Sequence, residues 1–260
     1  MQRTPYFPTT RDLEDSVFRQ ILDGLLNLVY PENCLICSAA ITRQRDCGIC
    51  AHCWNKAVTL RIDPPWCASC GLPFHHLLED SESLCANCIL NPPPFSSARS
   101  FGYYTGELSS VIQVMKFLGR RSLAEQVSSL LAAAFYRTWS REEFDYVVAV
   151  PLHPRRKRER GYNQSELLAQ HLARRIALPL YHGLKRIRST NPQVGLSNSE
   201  RIDNVQGAFR CPDSRQVSGK RVLMVDDVMT TGATVASAAQ ALLEAGAVRV
   251  CVLTVARAVR

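Results

Sequence analysis

The sequence predicts an α/β protein, a doubly wound parallel sheet preceded by a small cysteine-rich module. Beyond about residue 101, short apolar runs alternate with stretches of helical periodicity. That alternation is typical of a parallel sheet with helices on both faces. Before it, nine of the eleven cysteines lie between Cys34 and Cys88. Three consecutive prolines, which resist helix formation, separate the two regions and indicate a stiff connector.

Three apolar runs fit strands that are buried on both faces of a sheet. They span residues 146–150, 221–225 and 248–255. Helical periodicity predicts helices over residues 108–118, 123–136, 164–177 and 233–245. The polar segment 184–209 is long for a simple connection, and segments of that length are often lids over functional sites.

The most apolar N-terminal stretch, residues 17–30, is too short and too polar to cross a bilayer. Its apolar residues recur at helical spacing, which predicts an amphipathic helix within a first segment, residues 1–30. The pattern of a secretory signal is absent from the N-terminus. We therefore expect a cytoplasmic protein without a membrane span. Because the cytoplasm disfavours disulfides, metal binding is the first explanation for the cysteines.

The first predicted site lies in residues 221–234, RVLMVDDVMTTGAT. Ligands of an open parallel sheet bind at the carboxyl ends of its strands, where Asp226 and Asp227 follow a predicted strand. Carboxylates accept hydrogen bonds from ribose hydroxyls and can support a Mg²⁺ ion. The residues that follow lead into a helix whose first N–H groups suit a 5′-phosphate: Thr230, Thr231, Gly232, Ala233 and Thr234.

This string therefore predicts a site for a phosphorylated ribose. A plain strand end with a threonine cap is the simpler alternative, but the string is longer than a cap needs. Neither a Walker motif nor a G-x-G-x-x-G motif occurs in the sequence, so two common classes of nucleotide site lack support.

A second predicted site follows the run 146–150 at the same edge of the sheet. It begins with Pro151 and Leu152 and continues with five basic residues: Arg155, Arg156, Lys157, Arg158 and Arg160. A cationic loop in this place could bind pyrophosphate, because arginine offers paired donors. A solvated basic run or a nucleic-acid patch would have the same composition. The formal net charge of +8 favours acidic partners in general.

The cysteines predict metal binding. Four C-x-x-C pairs stand in series: Cys34/Cys37, Cys50/Cys53, Cys67/Cys70 and Cys85/Cys88. Two pairs complete a tetrahedral Cys₄ zinc site, so we expect about two structural zinc ions. Redox chemistry would need only one C-x-x-C pair, so four pairs in series favour metal binding over a redox role. The spacing leaves open whether consecutive or alternate pairs share an ion. Substitute ligands are available nearby, although eight cysteines suffice: Cys47, His52, His75 and His76.

Several strings resemble the ComF/GntX family of competence proteins, together covering about residues 31–260. One is PLHPRR…RGYNQSELLA from Pro151, a second surrounds Lys116-Phe117, and a third is RSTNPQVGL from Arg188. Residues 221–234 are similar to the motif with which type I phosphoribosyltransferases bind phosphoribosyl pyrophosphate (PRPP).

The resemblance implies a sheet of the type I phosphoribosyltransferase kind in residues 93–260. It implies a double zinc ribbon in residues 31–92, in which consecutive cysteine pairs share an ion. It also implies that Asp226 and Asp227 contact the ribose hydroxyls, and in a transfer reaction they could stabilise the cationic sugar. The implied flexible loop supplies four polar residues: Arg188, Thr190, Gln193 and Arg201.

Two functions are expected from these patterns. The family implies a role in the uptake or utilisation of single-stranded DNA in natural transformation, with a pocket for PRPP or a related sugar phosphate. Single-stranded DNA and proteins of DNA uptake or recombination are then the expected partners. The alternative is an active enzyme that uses PRPP and Mg²⁺ to transfer ribose 5-phosphate to a nucleobase or an amine. The strings specify ribose and phosphate contacts but no acceptor, so ligand binding is the more direct inference.

Overall fold

The computed structural model describes residues 33–41, 47–74, 82–188 and 207–259. Two compact units divide the chain, Met1–Trp54 and Asn55–Arg260. The helix predicted within residues 17–30 lies outside the described residues. So do five candidate site residues: His75, His76, Thr190, Gln193 and Arg201. Among the helices that are described, none combines the length and the apolar character needed to cross a membrane.

The first unit is described over a short cysteine-bearing segment. Asn33 and Ala40 form an antiparallel bridge around a tight turn, and Cys34 N–H donates to Ala39 O at 2.8 Å. Residues 47–50 form a second turn, which leads into helix α1 (Ala51–Thr59). The first turn carries both cysteines of a pair, Cys34 and Cys37, and the second turn carries Cys50, the first cysteine of the next pair. Local hydrogen bonds therefore fix the orientation of these thiols.

The second unit contains a five-stranded sheet in which every neighbouring pair is parallel. Its strands stand in the order β1-β7-β6-β2-β3. Their bounds are Ser97–Tyr103 (β1), Tyr146–Ala149 (β2), Leu180–Tyr181 (β3), Arg221–Met229 (β6) and Arg249–Arg257 (β7). A two-stranded antiparallel hairpin pairs β4 (Lys185–Arg186) with β5 (Phe209–Arg210). The predicted parallel sheet is confirmed.

Six further helices connect the strands in the described part of this unit. They are α2 (Ala86–Leu90), α3 (Gly106–Phe117), α4 (Leu123–Tyr136), α5 (Pro154–Arg160), α6 (Gln164–Arg175) and α7 (Ala233–Glu244). Short 3₁₀ turns lie at Arg141–Glu143 and Ser214–Gln216. Helices follow strands in turn, as the alternating sequence pattern predicts.

The two faces of the sheet bury different helices. α4 and α6 pack against each other and against the central strands. Alternate strand residues point to the opposite face, where Val222, Met224, Val250 and Val252 form one buried cluster with α7. The second group of cysteines, Cys67 to Cys88, belongs to the same cluster. These cysteines are therefore part of the core of the sheet-bearing unit.

The strand β1 forms one edge of the parallel sheet, and residues 60–62 cover that edge. Ile62 N–H donates to Phe101 O and Tyr103 N–H donates to Leu60 O, both at 2.9 Å. Gly102 lies at the closest approach, because a Cβ atom there would be 2.6 Å from Leu60 O. Pairing the edge in this way removes an exposed row of backbone donors and acceptors.

Two elements differ from the sequence-based expectation. The strand predicted over 221–225 continues to Met229, because β6 still pairs with β7 after its pairing with β2 ends at Val225. The basic segment is the short helix α5 rather than a loop. His153 Nδ1 caps it by accepting from Arg155 N–H at 3.3 Å, and Gly161, at φ 76°, ends it.

Candidate functional site

Two groups of four cysteine thiols lie in metal-binding geometry. They are Cys34, Cys37, Cys50 and Cys53 in the first unit, and Cys67, Cys70, Cys85 and Cys88 in the second. Within each group the sulfur atoms lie within 4.8 Å of one another. A tetrahedral ion with Zn–S bonds of about 2.3 Å places its sulfur ligands about 3.8 Å apart.

The measured separations match that requirement. The Sγ atoms of Cys37 and Cys50 are 3.6 Å apart, and those of Cys70 and Cys85 are 3.7 Å apart. All eleven cysteines are free thiols, so no disulfide competes for them. Consecutive pairs come together, as the family resemblance implied. Cys47 and the exposed His52 lie outside both groups, and the two groups fit two structural zinc ions.

Backbone N–H groups point at one sulfur atom in each group. Cys50 N–H donates to Cys34 Sγ at 3.4 Å, and Cys85 N–H donates to Cys67 Sγ at 3.3 Å. Burial opposes the thiolate, but these N–H donors outweigh it and lower the pKa of Cys34 to about 6 and that of Cys67 to about 7. Each group therefore holds one thiol that ionises readily, as metal ligation requires.

The two aspartates of the predicted ribose site lie in β6. Because β2 stops pairing with β6 at Val225, the sheet is open beside Asp226 and Asp227. Asp226 is half-buried, and its Oδ1 accepts hydrogen bonds from Ser165 Oγ at 2.7 Å and from Asp227 N–H at 2.9 Å. Desolvation, followed by the neighbouring Asp227 charge, raises the pKa of Asp226 to about 7 against the opposing pull of Ser165 and Lys116.

Lys116 is the cationic partner of this carboxylate pair. It lies in the last turn of α3, and its Nζ is 2.9 Å from Asp227 Oδ2. The Lys116 side chain is 19% exposed and that of Asp227 is 10% exposed. Burial disfavours the ammonium, but the charges of Asp227 and Asp226 outweigh it and raise the pKa of Lys116. The pair is therefore largely shielded from solvent screening.

Four consecutive buried polar side chains hold this arrangement together. The Tyr162 hydroxyl donates to Met115 O, and Gln164 Nε2 donates to Lys116 O at 3.4 Å, so both hold the end of α3. Asn163 Nδ2 donates to Val150 O at 3.0 Å, and its Oδ1 accepts from Ser165 N–H at 3.2 Å to cap α6. Ser165 then reaches Asp226. One turn of chain thus positions both Lys116 and Asp226.

The predicted phosphate loop follows β6. Gly232 takes a left-handed conformation, φ 83°, directly before α7, a conformation that glycine adopts at low cost. Thr231 Oγ1 accepts from Ala233 N–H at 3.4 Å. Thr230, Gly232 and Thr234 line the cleft, whereas Thr231 and Ala233 shape the turn. Thr234 and Val235, in the first turn of α7, line the same cleft as the aspartates, and the start of a helix suits an anion.

Three arginines face the carboxylates across the cleft. Arg156 and Arg160 come from α5, and Arg186 comes from β4. Desolvation and then the charge of Arg156 lower the pKa of Arg186. Arg155 points elsewhere, to Glu159 at 3.1 Å on the exposed side of α5. The basic side chains of α5 therefore lie on two sides of the helix, some in the cleft and some on the outer surface.

These groups line one cleft with a cavity volume of about 260 Å³. Nine predicted site residues line it: Pro151, Leu152, Arg156, Arg160, Asp226, Asp227, Thr230, Gly232 and Thr234. Arg155, Thr231, Ala233 and Arg188 do not. Sequence reasoning assigned no role in the site to Tyr104, Lys116, Gln164, Ser165 or Arg186, which also line the cleft. The polar residues at the start of a predicted helix were the available signal for Gln164 and Ser165.

Comparison with known proteins agrees with this geometry. Family models for a double zinc ribbon domain and a phosphoribosyl transferase domain match residues 25–89 and 163–259. The DNA utilization protein YhgH of Escherichia coli is 36% identical over 234 residues, covering 88% of this chain and 99% of that protein. Competence protein F of Haemophilus influenzae is 32% identical over 216 residues, covering 81% and 91%.

The chain belongs to the ComF/GntX family. A further relative, the competence protein ComFC of Bacillus subtilis, is 26% identical over 229 residues and covers 82% of this chain and 89% of its own length. The two matching domain models cover the two kinds of site. Both cysteine groups fall within the zinc-ribbon match, and the aspartates and threonines of the cleft fall within the transferase match.

We expect the zinc ions of this ComF/GntX chain to differ in what they stabilise. Elemental analysis of protein purified without added zinc should find about two Zn per chain. Cys37→Ser should remove one ion and leave the unfolding of the sheet-bearing unit unchanged. Cys67→Ser should remove the other and lower the thermal midpoint of that unit, because its four ligands are buried in the core.

Cys47→Ser is the control for these variants, because Cys47 belongs to neither group, and it should keep both ions. A zinc content near zero in the unaltered protein would contradict the assignment of both groups.

The raised pKa of Asp226 predicts a pH-dependent loss of stability. Between the ordinary value of 3.8 and about 7, the folded protein retains a proton that the unfolded chain has released. Stability from this group is thus present below that window and is lost as the pH rises through it. Asp226→Asn should gain stability relative to the unaltered protein from pH 4 to 7, by up to a few kcal/mol at about 1.4 kcal/mol per pH unit. Urea unfolding at several pH values measures the difference, and a constant difference would contradict it.

Proposed function

We propose that this chain binds PRPP or a related sugar phosphate in its cleft and acts in the uptake or utilisation of single-stranded DNA. The observation that carries the binding proposal is the meeting of two kinds of group in one cleft. Asp226 and Asp227 stand next to the phosphate loop Thr230–Thr234 at the open end of β6. Carboxylates beside N–H and hydroxyl donors match the order of groups in a ribose 5′-phosphate.

Each part of the ligand has a matching part of the site. The ribose hydroxyls donate to Asp226 and Asp227, and the 5′-phosphate accepts from the start of α7 and from the hydroxyls of Thr230 and Thr234. The pyrophosphate of PRPP would lie against Arg156 and Arg160. Mg²⁺ fits this set through carboxylate oxygens and ligand phosphates, and when bound it would neutralise pyrophosphate charge.

The role in DNA handling rests on the relatives and on one surface. The relatives are called DNA utilization protein and competence protein. At the mouth of the cleft, Phe117 is 68% exposed and the Arg160 guanidinium lies 5.4 Å above its ring. Arg121 and Arg120 are exposed beside it. An exposed aromatic ring among cationic groups suits single-stranded DNA, because the ring can stack on a base and the cations attract the backbone.

The domain organisation that we propose follows the sequence patterns. Residues 1–30 form an N-terminal segment, residues 31–92 a double zinc ribbon and residues 93–260 the phosphoribosyltransferase-like domain. Proteins of DNA uptake or recombination are the proposed partners. We propose a cytoplasmic location, because free thiols that are held for metal binding persist in a reducing compartment.

Catalysis is the second candidate function, and the carboxylates favour it. In that reaction a nitrogen of a nucleobase or amine forms a bond to the anomeric carbon of PRPP while the bond to pyrophosphate breaks. Asp226 and Asp227 would stabilise the positive charge that develops on the sugar. The loop that includes Arg188, Thr190, Gln193 and Arg201 would close over the site to exclude water.

Calorimetric titration tests the binding proposal. Ribose 5-phosphate and PRPP should bind, and Asp226→Asn/Asp227→Asn should weaken both by about tenfold or more, because two charge-assisted hydrogen-bond acceptors are lost. The control Asp213→Asn makes the same chemical change outside the cleft and should bind normally. Binding of neither ligand would overturn the proposal. Pyrophosphate release with PRPP, Mg²⁺ and a panel of bases, abolished in the double variant, would establish catalysis.

Fluorescence anisotropy with a labelled oligothymidine tests the DNA proposal. Affinity should fall steeply as salt rises, because binding releases counterions from the phosphate backbone. Phe117→Ala should weaken binding by about five-fold or more, since stacking contributes roughly 1–3 kcal/mol per base. Tyr136→Ala removes an equally exposed ring at the end of α4 and should change nothing. No binding at low salt would contradict the proposal.

A further inference from the structure

Lys116 is the cation that lies against Asp227 in the cleft. Its Nζ is 2.9 Å from Asp227 Oδ2, and both side chains are largely buried. An ammonium group has three N–H donors. One donor serves Asp227, and the lysine lines the open cleft, so the remaining donors can reach a ligand oxygen. The position of Lys116 therefore allows it to contact Asp227 and a bound anion together.

Two hydrogen bonds from buried side chains hold the backbone at Lys116 in place. Met115 O and Lys116 O accept hydrogen bonds from Tyr162 and Gln164, which are 7% and 1% exposed. Lys116 lies in the last turn of α3, so its ammonium is presented to the cleft from a helix end that these hydrogen bonds hold. Preorganised donors of this kind bind an anion without the cost of ordering a loop.

The charges of the cleft already suit a phosphate monoester. Four cations line it, Lys116, Arg156, Arg160 and Arg186, against the two carboxylates Asp226 and Asp227. With both carboxylates ionised, the lining carries a net charge of +2. A phosphate monoester carries about −1.5 to −2 at neutral pH. The side chains alone can therefore neutralise ribose 5-phosphate, and Lys116 is the cation that directly contacts Asp227.

We infer that Lys116 is a built-in counter-cation that lets this site bind a phosphorylated ribose without a divalent metal ion. The inference rests on the proposed function, since it concerns how the same cleft holds its ligand. Lys116 pairs with Asp227, which can still accept from a ribose hydroxyl, and directs a second donor at a phosphate or hydroxyl oxygen. A Mg²⁺ ion that binds Asp227 Oδ2 would displace the ammonium from that oxygen, so metal and Lys116 compete for it.

Calorimetric titration of ribose 5-phosphate, in EDTA and in excess Mg²⁺, tests the inference. The unaltered protein should bind in both conditions with dissociation constants within about threefold of each other, which is less than 1 kcal/mol. Lys116→Met should weaken binding in EDTA by about tenfold or more, the effect of losing a charged donor. Mg²⁺ should restore part of that loss, because Asp227 is then free to take the ion.

Two control variants separate the effect of the positive charge at Lys116 from the effect of positive charge elsewhere in the protein. Lys116→Arg keeps the cation and should retain most of the affinity in EDTA. Lys220→Met removes the same charge at the opposite end of β6, outside the cleft, and should bind like the unaltered protein. Thermal unfolding of each variant shows whether it is folded, and the comparison of EDTA with Mg²⁺ in the unaltered protein needs no variant at all.

The outcomes separate a failure of the inference about Lys116 from a failure of the proposed function. If the unaltered protein binds only with Mg²⁺, or if folded Lys116→Met binds normally in EDTA, the inference about Lys116 is wrong and the proposed function stands. If the unaltered protein binds ribose 5-phosphate in neither condition, the proposed function is wrong and the inference falls with it. Tight metal-free binding that depends on Lys116 supports both.

Discussion

The candidate site depends on four consecutive polar side chains that are buried at the start of α6. Tyr162, Asn163, Gln164 and Ser165 are all less than 8% exposed. Their hydrogen bonds reach three parts of the unit: the end of α3, the residue after β2, and Asp226 in β6. A buried polar group without a partner costs about 1–3 kcal/mol, so the four bonds can be satisfied together only in one arrangement of α3, β2 and β6. That arrangement places Lys116 opposite the aspartates and opens the cleft between them.

The second cysteine group constrains the same unit at strands β1 and β7 of the sheet. Arg257, at the end of β7, donates to Cys70 O at 2.8 Å and to Cys70 Sγ at 3.5 Å, and it is 7% exposed. Gly71 lies so close to β1 that a Cβ atom would be 2.3 Å from Ala98 O. A zinc ion bound by this group would therefore support β1 and β7, whereas an ion bound by the first group would support the unit Met1–Trp54.

The sequence predicted those features that local patterns encode. Apolar runs and helical periodicity located β2, β6, β7 and four helices, and α4 has the predicted bounds. The edge strand β1 was missed because its sequence, SARSFGY, mixes polar and small residues with few apolar ones. Lys116 and Arg186 were missed as site residues because tertiary packing brings them to Asp226 and Asp227 from distant segments. The family motif located the aspartates, but spacing cannot reveal a partner 111 positions away in the chain.

The central claim is that the loop Thr230–Thr234, with the aspartates before it, holds a phosphorylated ribose. Hydrogen–deuterium exchange of the full chain, with and without ribose 5-phosphate, tests it most directly because it reports where the ligand lies. The account predicts slower exchange for the amides of residues 230–235 at the start of α7 and no change in the cysteine groups. Protection elsewhere, with unaltered exchange in residues 230–235, would contradict the account.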